Sequence, residues 1–359
     1  VRTAAGPATI LGDAFRWDDL DDEEALEALV AAGLSDGLPV VRPTPRRIDA
    51  ALRANGYDPE LVLGGVPPRD GALSMAALAA YAVLAGCRPE HLPVVVAAVR
   101  ALRRPELNAL GVLTTTGSAA FMIVVNGPVR SRGAFNGGSN CMGPGSRGNA
   151  CVGRALSLIV RNVGGARPAD GDMSTMGQPG KYTFCFAENE EESPWPPLHV
   201  ERGFARDAST VTLFAVAGTV EVVDTHSVAA PDRLQTLADV LSAPVGVFAA
   251  AEPLLGSGYP IVVLPPESAR ALSLSGLTKS GVKSELYARS RVALERLPEP
   301  LRLEIRAERR ARLAPVGTPL RVAARAQDIT VIVAGGVGMK QTFVPGWNGG
   351  SLPATVEIG

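Results

Sequence analysis

Apolar residues recur along this chain with two periods, and their alternation predicts helices packed on sheets. Between 151 and 163, Val152, Leu156, Ile159 and Val163 keep one stripe at helical spacing, closed by Gly164-Gly165. Further helices are predicted over 23–32, stopped by Gly33, over 46–55, closed by Gly56, and over 74–85 and 89–103. Strand patterns fall at 38–41, 111–116, 121–125, 181–187, 210–215 and 219–223. Phe121-Met-Ile-Val-Val is apolar at every position, which suits a strand covered on both faces. Beyond residue 231, helices over 232–241, 267–274 and 279–291 alternate with strands over 245–249, 260–264 and 328–334, and an exposed helix is predicted over 301–313. This alternation predicts an α/β fold, with mixed sheets and helices packed on their faces. Two lobes are expected, residues 1–225 and residues 226–359, with the seam around Val223–Pro231.

Charge and composition remove several function classes. The 359 residues carry 35 basic and 36 acidic side chains, so no basic face is expected for nucleic acid. The longest apolar run, 73–87, is shorter than the ~18 residues of a membrane span and contains Ser74 and Tyr81. The first residues, Val-Arg-Thr, begin no basic-then-apolar leader, and a cytoplasmic location is expected. Four cysteines are too few for a disulfide framework, and they form no Cys-x-x-Cys pair. With three histidines besides, a structural zinc site is not expected.

Chemistry gathers in two places. A long glycine-rich connection, 126–149, runs into the helix that follows Asn149. Free amides at a helix mouth bind carboxylate or phosphate, so Asn140, Gly143, Gly145, Ser146, Arg147 and Asn149 are candidate substrate-binding residues. Asn126, at the end of a predicted strand, offers an amide to the same ligand. The glycine spacing is that of neither a P-loop nor a Rossmann turn, and no motif for a nucleotide, flavin or nicotinamide cofactor is visible. An ordinary surface loop capped by Asn149 is the alternative.

The second place is the segment 181–192. Alternation puts Tyr182, Phe184 and Phe186 on one face and Thr183, Cys185 and Ala187 on the other, with Lys181 at the start. Four of the next five residues, Glu188-Asn189-Glu190-Glu191-Glu192, are acids. Glu188, Glu190 and the downstream His199 suit acid–base work, Cys185 suits nucleophilic or redox use, and Asn189 suits substrate binding. The plainer readings are a core cysteine beside a solvated acidic turn. Glu188, Glu190 and His199 form the one candidate set for a divalent metal. Cys141, at the helix mouth, is a weaker nucleophile candidate.

Longer stretches resemble an uncharacterised bacterial family. They are Gly86-Cys-Arg-Pro-Glu-His-Leu-Pro-Val-Val, Leu110-Gly-Val-Leu-Thr-Thr-Thr, Ile123-Val-Val-Asn-Gly-Pro, Gly143-Pro-Gly-Ser-Arg-Gly-Asn-Ala and Gly180-Lys-Tyr-Thr-Phe-Cys-Phe-Ala-Glu-Asn-Glu-Glu. Ser193-Pro-Trp and Leu198-His-Val-Glu-Arg-Gly-Phe follow the same pattern, as do Val333-Ala-Gly-Gly and Val344-Pro-Gly-Trp near the end. The likeness covers most of residues 35–215 and, more loosely, the rest. The family resembles the large component of pairs whose small component is a cysteine- or selenocysteine-bearing protein with a UGSC-type motif. The resemblance implies such a small thiol or selenol partner for this chain, within a heteromer. It also implies weight on Cys185, Glu188, Asn189 and Glu190 rather than Cys141, because the Cys141 position varies in that pattern. Gly148 stands where the pattern has Ala, and Cys151 where it has Thr.

The expectation is an enzyme of lyase or hydrolase type acting on a small anionic or polar metabolite. The alternatives are a subunit that docks the small redox partner, and a metal-dependent enzyme. The enzyme reading requires that the helix mouth after Asn149 and the Cys185 sulfur border one cavity.

Overall fold

The computed structural model describes residues 17–242, 259–347 and 349–359. In chain order the first half runs α1 (Asp22–Ala31), α2 (Pro45–Asn55), β1 (Val62–Val66), β2 (Gly71–Ser74), α3 (Met75–Leu84), α4 (Leu92–Leu102), α5 (Ala109–Thr114), β3 (Ala120–Asn126), α6 (Arg147–Asn162), β4 (Cys185–Ala187) and β5 (Thr210–Val216). The second half adds β6 (Val220–Val222), α7 (Ala230–Leu241), β7 (Ile261–Leu264), α8 (Pro266–Leu274), α9 (Lys279–Arg289), α10 (Glu299–Ala311), β8 (Thr330–Val333), β9 (Gln341–Val344) and β10 (Ala354–Glu357). Short turns and two-residue strands connect these elements.

Two four-stranded mixed sheets form the centre. The first has the order β10-β5-β3-β4, with β3 and β4 parallel and the other pairs antiparallel. The second has the order β8-β7-β9-β6, with β8 and β7 parallel. The side-chain period of two then builds three apolar layers. Ile123, Val125, Cys185, Ala187 and Leu213 turn from the first sheet onto α3, α4 and α6. Met122, Val124, Phe186 and Phe214 turn the other way and meet Ile261, Val263, Ile332 and Val344 of the second sheet. Val262, Leu264, Val331 and Phe343 face outward from that sheet onto α7, α8 and α9. The fold is α/β, stacked as helices, sheet, sheet, helices. Helix α3 is apolar around its whole circumference because it lies inside this stack, with nine of its ten residues buried. Among the described residues no helix is long and apolar enough to cross a membrane.

Several expected elements differ. The strand expected at 111–116 is helix α5 followed by a turn. Asn108 caps it, its side chain accepting from Gly111 N, and Thr114 Oγ1 donates to the Leu110 carbonyl, so local bonds override β-branched preference. Residues 38–41 form no strand, because Arg154 takes the Leu38 and Pro39 carbonyls that a neighbouring strand would use. The strand expected over 181–187 shrinks to β4, since Pro179–Lys181 is a 3-10 turn and Thr183 Oγ1 bonds the Ala150 carbonyl. The strand expected at 245–249 lies outside the described residues. The hairpin β1–β2 and the strands β9 and β10 had no clear signal in the sequence. Around the expected seam at Val223–Pro231, β6 belongs to the second sheet, and β10 returns to pair with β5 in the first.

Candidate functional site

The carboxyl ends of the parallel strands β3 and β4 carry Asn126 and, one residue past β4, Glu188. Both are fully buried. Asn126 Nδ2 donates to Glu188 Oε2 at 2.6 Å and to Glu190 Oε1 at 3.0 Å, joining the two carboxylates. Glu188 Oε2 also accepts from Leu198 N at 2.7 Å, and Glu190 Oε1 from Gly127 N at 2.7 Å. Arg130, on the helical turn Val129–Arg132, meets Glu190 at 3.0 Å, grips Glu191 through two nitrogens and donates to the Glu188 carbonyl. Burial alone would lower the Arg130 pKa, but bonding to Glu191 and the charges of Glu190, Glu191 and Glu188 raise it, so it stays charged.

His199 is equally buried, on the helical turn Leu198–Glu201. Its Nε2 donates to the Arg206 carbonyl at 3.2 Å, which leaves Nδ1 as the basic nitrogen, 3.8 Å from Glu190 Oε1. From the far side, α9 sends in Lys279, whose Nζ lies 3.7 Å from Glu188 Oε1 and 3.1 Å from both Glu201 Oε2 and the Pro196 carbonyl. Lys283 pairs with the other Glu201 oxygen. Burial pushes the Glu201 carboxyl up, but the Lys279 and Lys283 ammonium groups outweigh it and hold the pKa below the usual carboxylate range.

Three atoms in this cluster, Asn126 Oδ1, Glu188 Oε1 and His199 Nδ1, are buried without a hydrogen-bond partner. A cleft of about 340 Å³ reaches this corner, lined by Arg130, Phe135, Gly137, Gly138, Glu188 and Asn189 among others; Asn126, Glu190 and His199 lie behind its wall. Gly137 lies tight against β4: a Cβ there would sit 2.6 Å from the Ala187 carbonyl oxygen. The second sheet closes the same corner, with Asn189 N on the Val333 carbonyl and Gly335 N on the Gly137 carbonyl, both at 2.8 Å.

Glu188, Glu190, His199 and Asn126 are therefore brought together, and Asn189 lines the adjoining cleft. Cys185 is not with them. Three residues before Glu188, its thiol lies on the helix-facing side of the sheet with Ala187, 5% exposed in the aliphatic layer. Burial pushes its pKa far above that of a free thiol, so the nucleophile expectation is corrected to a packing role. The helix mouth and this sulfur do not share the cleft, so the condition on which the sequence-based enzyme expectation rested is not met, and an enzyme reading has to stand on the acid–base cluster alone.

The mouth itself is filled by its own loop. Ser146 caps α6, its Oγ accepting from Asn149 N. The Asn149 side chain is buried; it accepts from Asn136 N and Ser146 Oγ and donates to the Asn136 and Cys141 carbonyls. Arg147 Nε is held by the Gly86 carbonyl. Asn140, at positive φ, bonds the Pro144 carbonyl and packs against Gly143, while Gly145 makes a left-handed turn. The side chains of Asn140, Ser146 and Asn149 are spent on the loop itself, and Arg147 Nε on the Gly86 carbonyl. Cys141 is also buried, its pKa pushed up to about 11 by desolvation. Lys181 lies elsewhere, paired with Asp172 at 2.5 Å and Ser174 at 2.6 Å.

Sequence reasoning missed Arg130, Lys279 and Glu201. Arg130 stands only four residues past Asn126 and was in reach, but nothing in the pattern relates α9 to Glu188. Among the described residues no three His, Cys, Asp or Glu side chains are grouped to hold a metal ion. Beside Glu188 the compensating charge comes from Lys279. No protein family, curated protein or solved structure matches this chain.

Proposed function

We propose that this chain is an enzyme that moves protons on a small polar metabolite, of lyase or hydrolase type, at the cleft beside Asn126, Glu188, Glu190 and His199. The observation that carries this reading is the set of three buried atoms without a hydrogen bond, Asn126 Oδ1, Glu188 Oε1 and His199 Nδ1, gathered where the parallel strands β3 and β4 end. A buried polar atom without a hydrogen bond costs about 1–3 kcal/mol, and the approaches of Lys279 to Glu188 Oε1 at 3.7 Å and of Glu190 to His199 Nδ1 at 3.8 Å are too long to supply one. The carboxyl ends of strands are also where α/β proteins collect ligands.

Each residue then has a role that its contacts support. Asn126 and Leu198 N hold one oxygen of Glu188, and the other makes no hydrogen bond. His199, with its tautomer set by the Arg206 carbonyl, presents a basic Nδ1 toward Glu190. Lys279 Nζ stands 3.7 Å from the same Glu188 oxygen, Oε1. Four acids, Glu188, Glu190, Glu191 and Glu201, meet three cations, Arg130, Lys279 and Lys283. That balance favours a neutral or cationic substrate over an anion.

Deuterium incorporation tests the reading. Small hydroxy- and amino-bearing metabolites are incubated with the protein in D2O and followed by NMR. Exchange or elimination on one of them should fall about 10²–10⁴-fold in Glu188→Gln and His199→Gln variants that melt like the parent. Turnover that survives both changes would overturn this assignment.

A further inference from the structure

A second cavity, of about 270 Å³, opens at the other end of β3, between that strand, α6 and the segment 166–182. Phe121 lines it near the start of the strand whose last residue, Asn126, belongs to the acid–base cluster, about 17 Å further along at strand rise. Val112, Leu113, Ala119, Phe121 and Leu156 make most of its wall apolar. This is the composition of a small-molecule pocket, an apolar body with few polar groups to orient the guest.

The charges on its wall are unequally paired. Two acids line it, and both are already engaged. Asp36 is gripped by Arg154 at 2.7 and 2.8 Å, and Asp172 holds Lys181 at 2.5 Å. Of the two cations that line it, Lys181 is matched by Asp172. Arg161 is not: its Nη1 donates to the Gly33 carbonyl at 2.9 Å and to Asn162 Oδ1 at 3.1 Å, and among the described residues it meets no carboxylate. A half-buried guanidinium with donors to spare, beside an apolar chamber, is suited to bind a carboxylate through paired hydrogen bonds. The neighbouring Arg167 adds to the positive field, and burial together with that charge lowers the Arg161 pKa. The segment that supplies Asp172 and Lys181 also leaves Met173 and Met176 exposed, adaptable apolar surface near the cavity.

We propose that this cavity binds a small carboxylate with an apolar body, its carboxylate on Arg161 and its body against Val112, Phe121 and Leu156. The site is separate from the acid–base cleft and stands whether or not that reading holds. The volume admits a molecule of roughly ten non-hydrogen atoms, at the small end of ligand pockets.

Calorimetric titration with phenylacetate and with 4-methylvalerate tests it on the full chain. Saturable binding is expected for at least one of them. The neutral isosteric amide of the bound acid should bind at least tenfold more weakly to the unaltered protein, and so should the acid to Arg161→Gln. Ser157→Met, which fills the chamber from α6, should abolish binding in a variant that still melts cooperatively. The inference is overturned if neither acid binds saturably up to about 20 mM, if the amide binds as tightly as the acid, or if Ser157→Met leaves binding intact. Deuterium exchange at the other site does not bear on any of these outcomes.

Discussion

At Gly137 the absent side chain lets the loop lie directly on the end of β4. A methyl group there would lie 2.6 Å from the Ala187 carbonyl oxygen and 3.0 Å from the Glu188 carbonyl. Gly137→Ala must therefore push the loop off β4 and carry Glu188 with it. Thermal or urea unfolding should show a loss of about 1–3 kcal/mol, with any turnover reduced alongside. Cys185 gives the opposite lesson about single residues. Its place beside an acidic run suggested chemistry, but one pleat of a strand separates the two faces of a sheet. Iodoacetamide at neutral pH should leave Cys185 unmodified in the native protein, as read by mass spectrometry, and modify it only on unfolding. Rapid native-state alkylation would return this thiol to the list of reactive groups.

At the scale of elements, the glycine-rich loop is fixed from the first turns of α6. Asn149 makes four side-chain bonds from a buried position, three of them to the backbone of the loop at Asn136 and Cys141. Asn149→Ala leaves those groups unpaired and should cost about 2–4 kcal/mol in chemical denaturation, whereas Asn140→Ala, on the exposed turn, should cost under about 1 kcal/mol. Equal costs would mean that the loop is held in some other way. The helix was legible because its stripe and its glycine stop are local. The purpose of Asn149 was not, since a helix-mouth asparagine reads the same whether it faces a ligand or its own loop. Likewise the Thr114-Thr115-Thr116 run carries a strand signal, which the Asn108 cap overrides.

Across the whole molecule, segment 188–204 straps the layers together. Glu188 closes the first sheet, Trp195 Nε1 donates to the Leu277 carbonyl, and Glu201 meets Lys279 and Lys283 on the outer helix α9. The Glu201 pKa is lowered in the fold, so its contribution is complete above the unfolded value near 4.3 and fades as pH falls through the folded one. Asp36 and Asp172, also lowered, act in the same window. His91 acts earlier. Its Nε2 donates to the Gly133 carbonyl and its Nδ1 accepts from Arg88 N, so the neutral ring is the bonded form, and burial lowers its pKa. The unfolded chain takes up that proton first, so stability should begin to fall as pH drops through about 6.5. A pH series of melting temperatures should show a shallow decline from pH 7 to 5.5, absent in His91→Gln, and a steeper one below about pH 4.5, reduced in Glu201→Gln. A flat profile down to pH 4 would contradict both assignments.

The amino-acid sequence alone determined the α/β class, most helices, the buried strand at Phe121–Val125 and the acidic residues with His199, because periodicity and residue chemistry are local properties. It left open which face of β4 carries the chemistry, and although it predicted the helix that is α9, it held no sign of where that helix packs or of the sheet-on-sheet layer. Those follow from contacts between residues far apart in the chain: Asn126 with Glu188, Lys279 with Glu201, Val333 with Asn189. The pairing of β3 with β4 brings Asn126 to Glu188, and the packing of the second sheet and its helices brings Val333 to Asn189 and Lys279 to Glu201, so only the tertiary structure decided that the carboxylates meet the histidine while the sulfur faces the helices.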